Sequence, residues 1–120
     1  YSAIKHALET VPRSKKRDRI EHLSVCSPAL SRKLAALGII VVTQPSFIFY
    51  NGDRYLETVP VQEQENLYPI GSLFRAGISV AGSTDCPIVP PNPLTGVYSA
   101  ISRKSESGRT VGEGEELILS

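Results

Sequence analysis

One pattern occurs twice in this chain: LAALGIIVV at residues 34–42 and LFRAGISVA at residues 73–81. Each is a leucine-bearing helix end, a glycine, and then a strand-like run. The first run opens on four apolar residues, Ile39, Ile40, Val41 and Val42, as a strand buried on both faces does. Helices that alternate with such strands imply βα units and a parallel sheet with right-handed crossovers. The expected fold class is therefore α/β.

The rest of the chain fits that frame. Ala3, Ile4, Ala7, Leu8 and Val11 stand at helical spacing before Pro12 ends the pattern. A basic connector, RSKKRDR at 13–19, leads to a short strand expected at 20–25. Ser27 followed by Pro28 reads as a helix start, a hydroxyl cap with proline at the first helical position. Gly38 closes that helix. Residues 47–60 carry Asn51-Gly52, a turn signal, and are expected to form a long loop. Residues 61–77 read as a broken helix, 78–83 as a third strand, 84–93 as a proline-rich loop and 94–105 as a helix. A flexible segment at 106–114 follows.

Three strands in 120 residues bound the architecture. A closed (β/α)8 barrel needs roughly 200 residues or more, so the chain holds about three of eight units or forms a small open sheet. The first helix has no clear cap before it. The acidic GEGEELILS at 112–120 looks like an amphipathic helix interrupted at its start. The expectation is a piece of a longer protein, cut at both ends.

Composition excludes several classes. With 41% hydrophobic and 21% charged residues the chain is globular rather than disordered. A net charge of +1 gives no global field toward nucleic acid or acidic membranes. The longest apolar run, residues 34–42, is too short to span a bilayer and contains a glycine. Cys26 and Cys86 make neither a disulfide framework nor a CxxC zinc motif. Their pattern suits a reducing, cytoplasmic setting.

In parallel α/β folds functional side chains gather beyond the carboxyl ends of the strands. The first expected strand carries Glu21 and His22, the second ends on Thr43 and Gln44, and the third is followed by Ser83, Thr84 and Asp85. A histidine, an amide and an aspartate then share one rim. Imidazole and carboxylate are the usual protein ligands of hydrolytic zinc, and an aspartate beside the metal can act as general base.

The stretches RIEHLSV (19–25), IIVVTQPSF (39–47) and LYPIGSLFRAGISVAGSTDCPIVPPNPLTGVYSAISR (67–103) resemble the C-terminal part of the amidohydrolase superfamily. The match is to its third amidohydrolase family, which includes N-substituted formamide deformylase-like enzymes. The resemblance covers nearly the whole chain. It implies a distorted (β/α)8 TIM barrel of which this chain carries about strands six to eight. It implies metal-dependent hydrolysis of C–N bonds in non-peptide amides and related small molecules. His22 matches the metal-binding histidine after strand six. Asp85 matches the aspartate after strand eight, which touches the metal and takes a proton from the attacking water. The metal implied is zinc, with iron or manganese compatible with the same ligands. The family's strand-one HxH pair, its strand-four bridging group and its strand-five histidine are absent from this chain, so the segment alone is expected to be inactive.

Other readings stay open on the residues themselves. His22 can be a hydrogen-bonded strand-end histidine, and Asp85 a turn or helix-capping residue before Cys86-Pro87. Glu21 suits structural hydrogen bonding, and His6 a helix surface. Cys86 with His22 is a weak cysteine–histidine signal. Residues 13–19 suit a solvated loop better than a nucleic-acid patch, since aromatics are missing and Asp18 dilutes the charge. Phe47, Phe49 and Tyr50 can cover a pocket or pack, and residues 47–56 are expected to shape the substrate site. A small α/β interaction module is the alternative to a hydrolase. A separated piece of barrel exposes strand edges, so self-association into a homo-oligomer is expected.

Overall fold

The computed structural model of the chain describes residues 1–11 and 18–112. The basic stretch before Asp18 and the acidic segment after Gly112 lie outside them. The elements run α1 (Ser2–Thr10), β1 (Arg19–Glu21), α2 (Pro28–Ala36), β2 (Ile40–Thr43), α3 (Ser46–Thr58), α4 (Val61–Gln64), α5 (Ile70–Arg75), β3 (Val80–Gly82) and α6 (Pro93–Ser102).

The repeated sequence makes the same structure twice. Gly38 and Gly77 both sit at positive φ, 68° and 80°, where a Cβ would be penalised. At the end of α2 the Gly38 amide donates to Ala35 O and the Ile39 amide to Leu34 O. At the end of α5 the Gly77 amide donates to Phe74 O and the Ile78 amide to Leu73 O. Both are Schellman closures, which satisfy the last carbonyls of a helix and turn the chain back. Each turn delivers its next apolar residue to the core: Leu34, Ile39, Leu73 and Ile78 are all buried in one cluster with Cys26 and Val41. Each such side chain contributes about 1.5–3 kcal/mol when buried.

The strands that follow pair in parallel in the order β1-β2-β3. Val41 faces Ile20 on one side and Val80 on the other. β2 is the buried centre, and β1 and β3 are the outer strands of this sheet. The predicted α/β class and parallel sheet are thus present. So is the cap of α2, where Ser27 Oγ accepts from the Leu30 amide and Pro28 opens the helix.

Two expectations need correction. The strand expected over residues 20–25 covers only Arg19–Glu21, because the chain turns at His22, whose φ is 57°. The loop expected over residues 47–60 is the longest helix, α3. Asn51-Gly52 is not a turn there. A Cβ on Gly52 would lie 2.8 Å from Val111 Cγ2 and 2.9 Å from Ser105 Cβ, so the glycine lets the 105–111 segment press against the helix. A second core cluster forms at this contact, with Ile48, Leu67, Tyr68 and Val111 buried together. The broken helix expected over 61–77 is α4 and α5, separated at residues 65–69.

Candidate functional site

The three described strands are parallel, so their carboxyl ends lie on one rim. His22 follows β1 directly, and Asp85 lies three residues beyond β3. The fold brings them together: His22 Nε2 stands 3.8 Å from Asp85 Oδ1. That distance is too long for a hydrogen bond. Both side chains keep access to solvent, at 51% and 34% exposure. Gln44, expected on the same rim, is buried, as is Thr43.

The backbone at the two residues is unusual. Among the described residues, those other than glycine at positive φ are His22, Tyr68, Asp85 and Arg103, with φ of 57°, 45°, 58° and 57°. Such conformations cost about 1–3 kcal/mol each and persist only where the surroundings impose them. At Asp85 the causes are local. Its amide donates to Ser83 Oγ at 3.2 Å, and its carbonyl accepts from the Ile88 amide at 2.9 Å. Ser83 is itself anchored, its amide donating to Thr43 O. The turn reading of Asp85 is therefore correct for its backbone and leaves its carboxylate free to face His22.

The segment after His22 is held from further away. Thr43 Oγ1 donates to Leu23 O at 3.0 Å. Ser24 Oγ donates to His22 O at 3.1 Å. Residues 24–26 then run antiparallel to 66–68: the Tyr68 amide donates to Ser24 O at 2.7 Å and the Cys26 amide to Asn66 O at 3.0 Å. The Tyr68 hydroxyl lies 3.1 Å from the Tyr55 hydroxyl. Burial, then the Tyr55 hydroxyl, push the Tyr68 phenol far above its ordinary range. It therefore remains a protonated donor.

Tyr68 is fixed in turn by Arg103. This fully buried guanidinium donates to Leu67 O at 2.6 Å, Tyr68 O at 2.5 Å and Val111 O at 2.9 Å. The four described non-glycine residues at positive φ thus fall into two pairs, His22 with Asp85 at the rim and Tyr68 with Arg103, whose guanidinium donates to the Tyr68 carbonyl. Sequence reasoning missed Ser24, Tyr68 and Arg103. No local signal marks Tyr68, since a residue before proline is steered to extended backbone at negative φ and not to the 45° found here. Arg103 caps the end of α6, and nothing in the local sequence marks it as buried.

The donor chemistry at the rim suits a divalent metal. Two ligands of a tetrahedral zinc at the usual bond lengths are about 3.4 Å apart, and the 3.8 Å separation needs only a small side-chain adjustment. The described residues contain no cluster of three or more His, Cys, Asp or Glu side chains, so here they supply two donors.

The other candidates fall elsewhere. His6 is on the exposed face of α1, its carbonyl accepting from Thr10 Oγ1. Cys86 is exposed and Cys26 buried, both as free thiols. Burial pushes the Cys26 thiol up. Phe47 meets the Tyr68 ring edge-on, and Phe49 meets Tyr50 and Tyr98, so these aromatics pack. Residues 47–56 belong to α3 rather than to a pocket-shaping loop. An apolar groove of about 350 Å3 runs beside β3, lined by Pro45, Phe74, Val80, Val97 and, near Asp85, Ser83 and Thr84.

The sequence matches the model of the amidohydrolase family over residues 2–120. The chain belongs to the amidohydrolase family. It is 29% identical over 119 residues to YtcJ of Bacillus subtilis (strain 168), covering 96% of this chain and 22% of that protein. It is 28% identical over 106 residues to the N-substituted formamide deformylase of Arthrobacter pascens, covering 85% and 20%. The chain therefore spans about a fifth of the length of these relatives. The fold superposes on an uncharacterized metal-dependent hydrolase from Pyrococcus horikoshii OT3 with a TM-score of 0.67 and 27% identity, over 84% of this chain and 20% of that one. It also superposes on one from Pyrococcus furiosus with a TM-score of 0.70 and 24% identity, over 97% and 23%. No described helix is long and apolar enough to cross a membrane.

Proposed function

We propose that this chain is the C-terminal portion, about strands six to eight, of a (β/α)8 barrel in a metal-dependent amidohydrolase, and that the parent enzyme hydrolyses C–N bonds of small non-peptide amides. The observation that carries this is the meeting of His22 Nε2 and Asp85 Oδ1 at 3.8 Å on the strand-end rim. Family membership and the metal-dependent hydrolases of similar fold support it. The outer strands β1 and β3 supply edges for the remaining strands of a barrel. The free thiols suit a cytoplasmic enzyme, and a chain with such edges on its own self-associates.

In this reading His22 Nε2 and the Asp85 carboxylate hold a divalent metal, zinc by ligand type. A bound metal supplies Lewis acidity and makes water a nucleophile at neutral pH. Asp85 Oδ1 faces His22, which leaves Oδ2 to take the proton of the attacking water and return it to the departing amine nitrogen. The left-handed turn at Asp85, fixed by Ser83 and Ile88, sets the direction of that carboxylate. The chain alone, with two donors, lacks turnover.

The test is hydrolysis of a panel of small N-substituted formamides and amides by the full-length protein, read by amine release. Asp85→Asn is expected to lower kcat by about 10²- to 10⁴-fold, the range of general acid–base contributions. Equal turnover by the variant contradicts the assignment.

A further inference from the structure

Resting on the metal reading of His22 and Asp85, we infer that Thr43 is a positioning residue for both, through its hydroxyl on one side and its backbone carbonyl on the other. His22 and Asp85 follow β1 and β3, the outer strands of the described sheet, and β2 runs between them. Thr43 is the last residue of β2. Its Oγ1 donates to Leu23 O at 3.0 Å, one residue beyond His22. Its carbonyl accepts from the Ser83 amide at 2.9 Å, and Ser83 Oγ in turn accepts from the Asp85 amide at 3.2 Å. One residue thus ties both arms of the rim to the centre of the sheet.

The backbone explains why a tie is needed on the His22 side. β1 pairs with β2 as far as Glu21 and Val42, so unbroken register would set His22 opposite Thr43. The left-handed turn at His22, φ 57°, ends that ladder. A residue other than glycine keeps such a conformation only where its surroundings impose it. The Thr43 hydroxyl takes the place of the lost ladder contact by fixing the carbonyl just past the turn. The imidazole is half exposed, so its direction follows from the backbone rather than from packing. Valine, the residue at 41 and 42, has threonine's branching without the hydroxyl, so the strand alone does not require a threonine at its end. Thr43 is buried, and its hydroxyl proton is committed to Leu23 O. Groups that orient a metal ligand typically change metal affinity by about 10- to 100-fold when removed.

The test is Co2+ binding by the full-length protein, followed by the visible spectrum and by chelator competition. Thr43→Val removes the hydroxyl and is expected to weaken Co2+ by about 10-fold, the lower end of that range, and to alter the spectrum. Thr43→Ala lacks the same hydroxyl and is expected to do the same. Thr43→Ser keeps a hydroxyl and is expected to bind and absorb as the wild type does. Ile39→Val trims a buried residue just before β2, at the other end of that strand. It is expected to leave affinity and spectrum unchanged, which separates positioning from a general loosening of the core. If Thr43→Val and Thr43→Ala bind Co2+ as the wild type does while His22→Ala does not, the positioning role is overturned and the metal site stands. Equal weakening in Thr43→Ser and Thr43→Val also overturns it, because the hydroxyl is then not the cause. If the wild type itself binds no Co2+, the metal reading falls and the positioning role with it.

Discussion

Glycine does two different jobs in two regions of this molecule. In the helix–glycine–strand units, Gly38 and Gly77 supply a backbone conformation: both are left-handed, and a Cβ at either would meet nothing within 4 Å. In α3, Gly52 supplies space: its backbone is helical, and a Cβ there would collide with Val111 and Ser105. The first kind is written in local sequence, because a helix end, a glycine and an apolar run recur together. The second depends on a segment more than fifty residues away. A glycine read only through its turn propensity turns a packing contact into a predicted loop.

The largest effect is expected beneath the Gly52 contact. Arg103 links the 66–68 segment to Val111. Arg103→Met leaves three buried carbonyls without these bonds, each costing about 1–3 kcal/mol. Chemical denaturation of the full-length protein should show a loss of several kcal/mol or no folded protein, and an unchanged midpoint would remove Arg103 from its place in the fold. Next come Leu34→Ala and Leu73→Ala, at equivalent positions of the two closures, each expected to cost about 2–5 kcal/mol. Similar losses support the equivalence of the units, and a large difference breaks it.

The two glycines separate at the next level. Gly38→Ala is expected to cost about 1–2 kcal/mol through its left-handed backbone, whatever stands at position 111. Gly52→Ala is expected to cost about 1–3 kcal/mol by overpacking, less about 1 kcal/mol of improved helix propensity. Val111→Ala should relieve part of the Gly52 penalty and none of the Gly38 penalty. Thermal unfolding of the three single and two double variants checks this, and equal relief in both would erase the distinction.

The smallest effects are in pH dependence. Hydrogen bonds from Ser107 and Ser105, with Arg109 nearby, hold the Asp53 carboxyl below its ordinary range despite some desolvation. A lowered folded-state value gives stability that is present above about pH 4 and lost as pH falls through the folded value. The gap in Tm between wild type and Asp53→Asn should therefore close in acid. Tyr68 acts with the opposite sense. Its raised phenol keeps its proton when the unfolded chain loses one near pH 10, so stability falls as pH rises beyond about 10. Tyr68→Phe should remove that component of the fall.

Much of the sheet side was legible in the sequence for this reason of locality. Ser27-Pro28, the two glycine closures and the β-branched runs each carry their structure within a few residues. His22 and Asp85 were legible through strand ends and family resemblance, and the fold brings them together. Their supports were not. Ser24 looks like any loop serine, and Arg103 like a surface charge, until residues 67–68 and 111 close over them. Residues 47–60 failed because the helix is stabilised by what covers it, with Ile48 and Val111 in one cluster.

The most direct measurement is the metal content of the full-length protein by elemental analysis after desalting, wild type against His22→Ala. Expected is about one or two divalent ions per chain in the wild type and a clear fall in the variant. A wild type free of metal, or a variant that keeps all of it, would contradict the assignment of the His22–Asp85 rim as a metal centre.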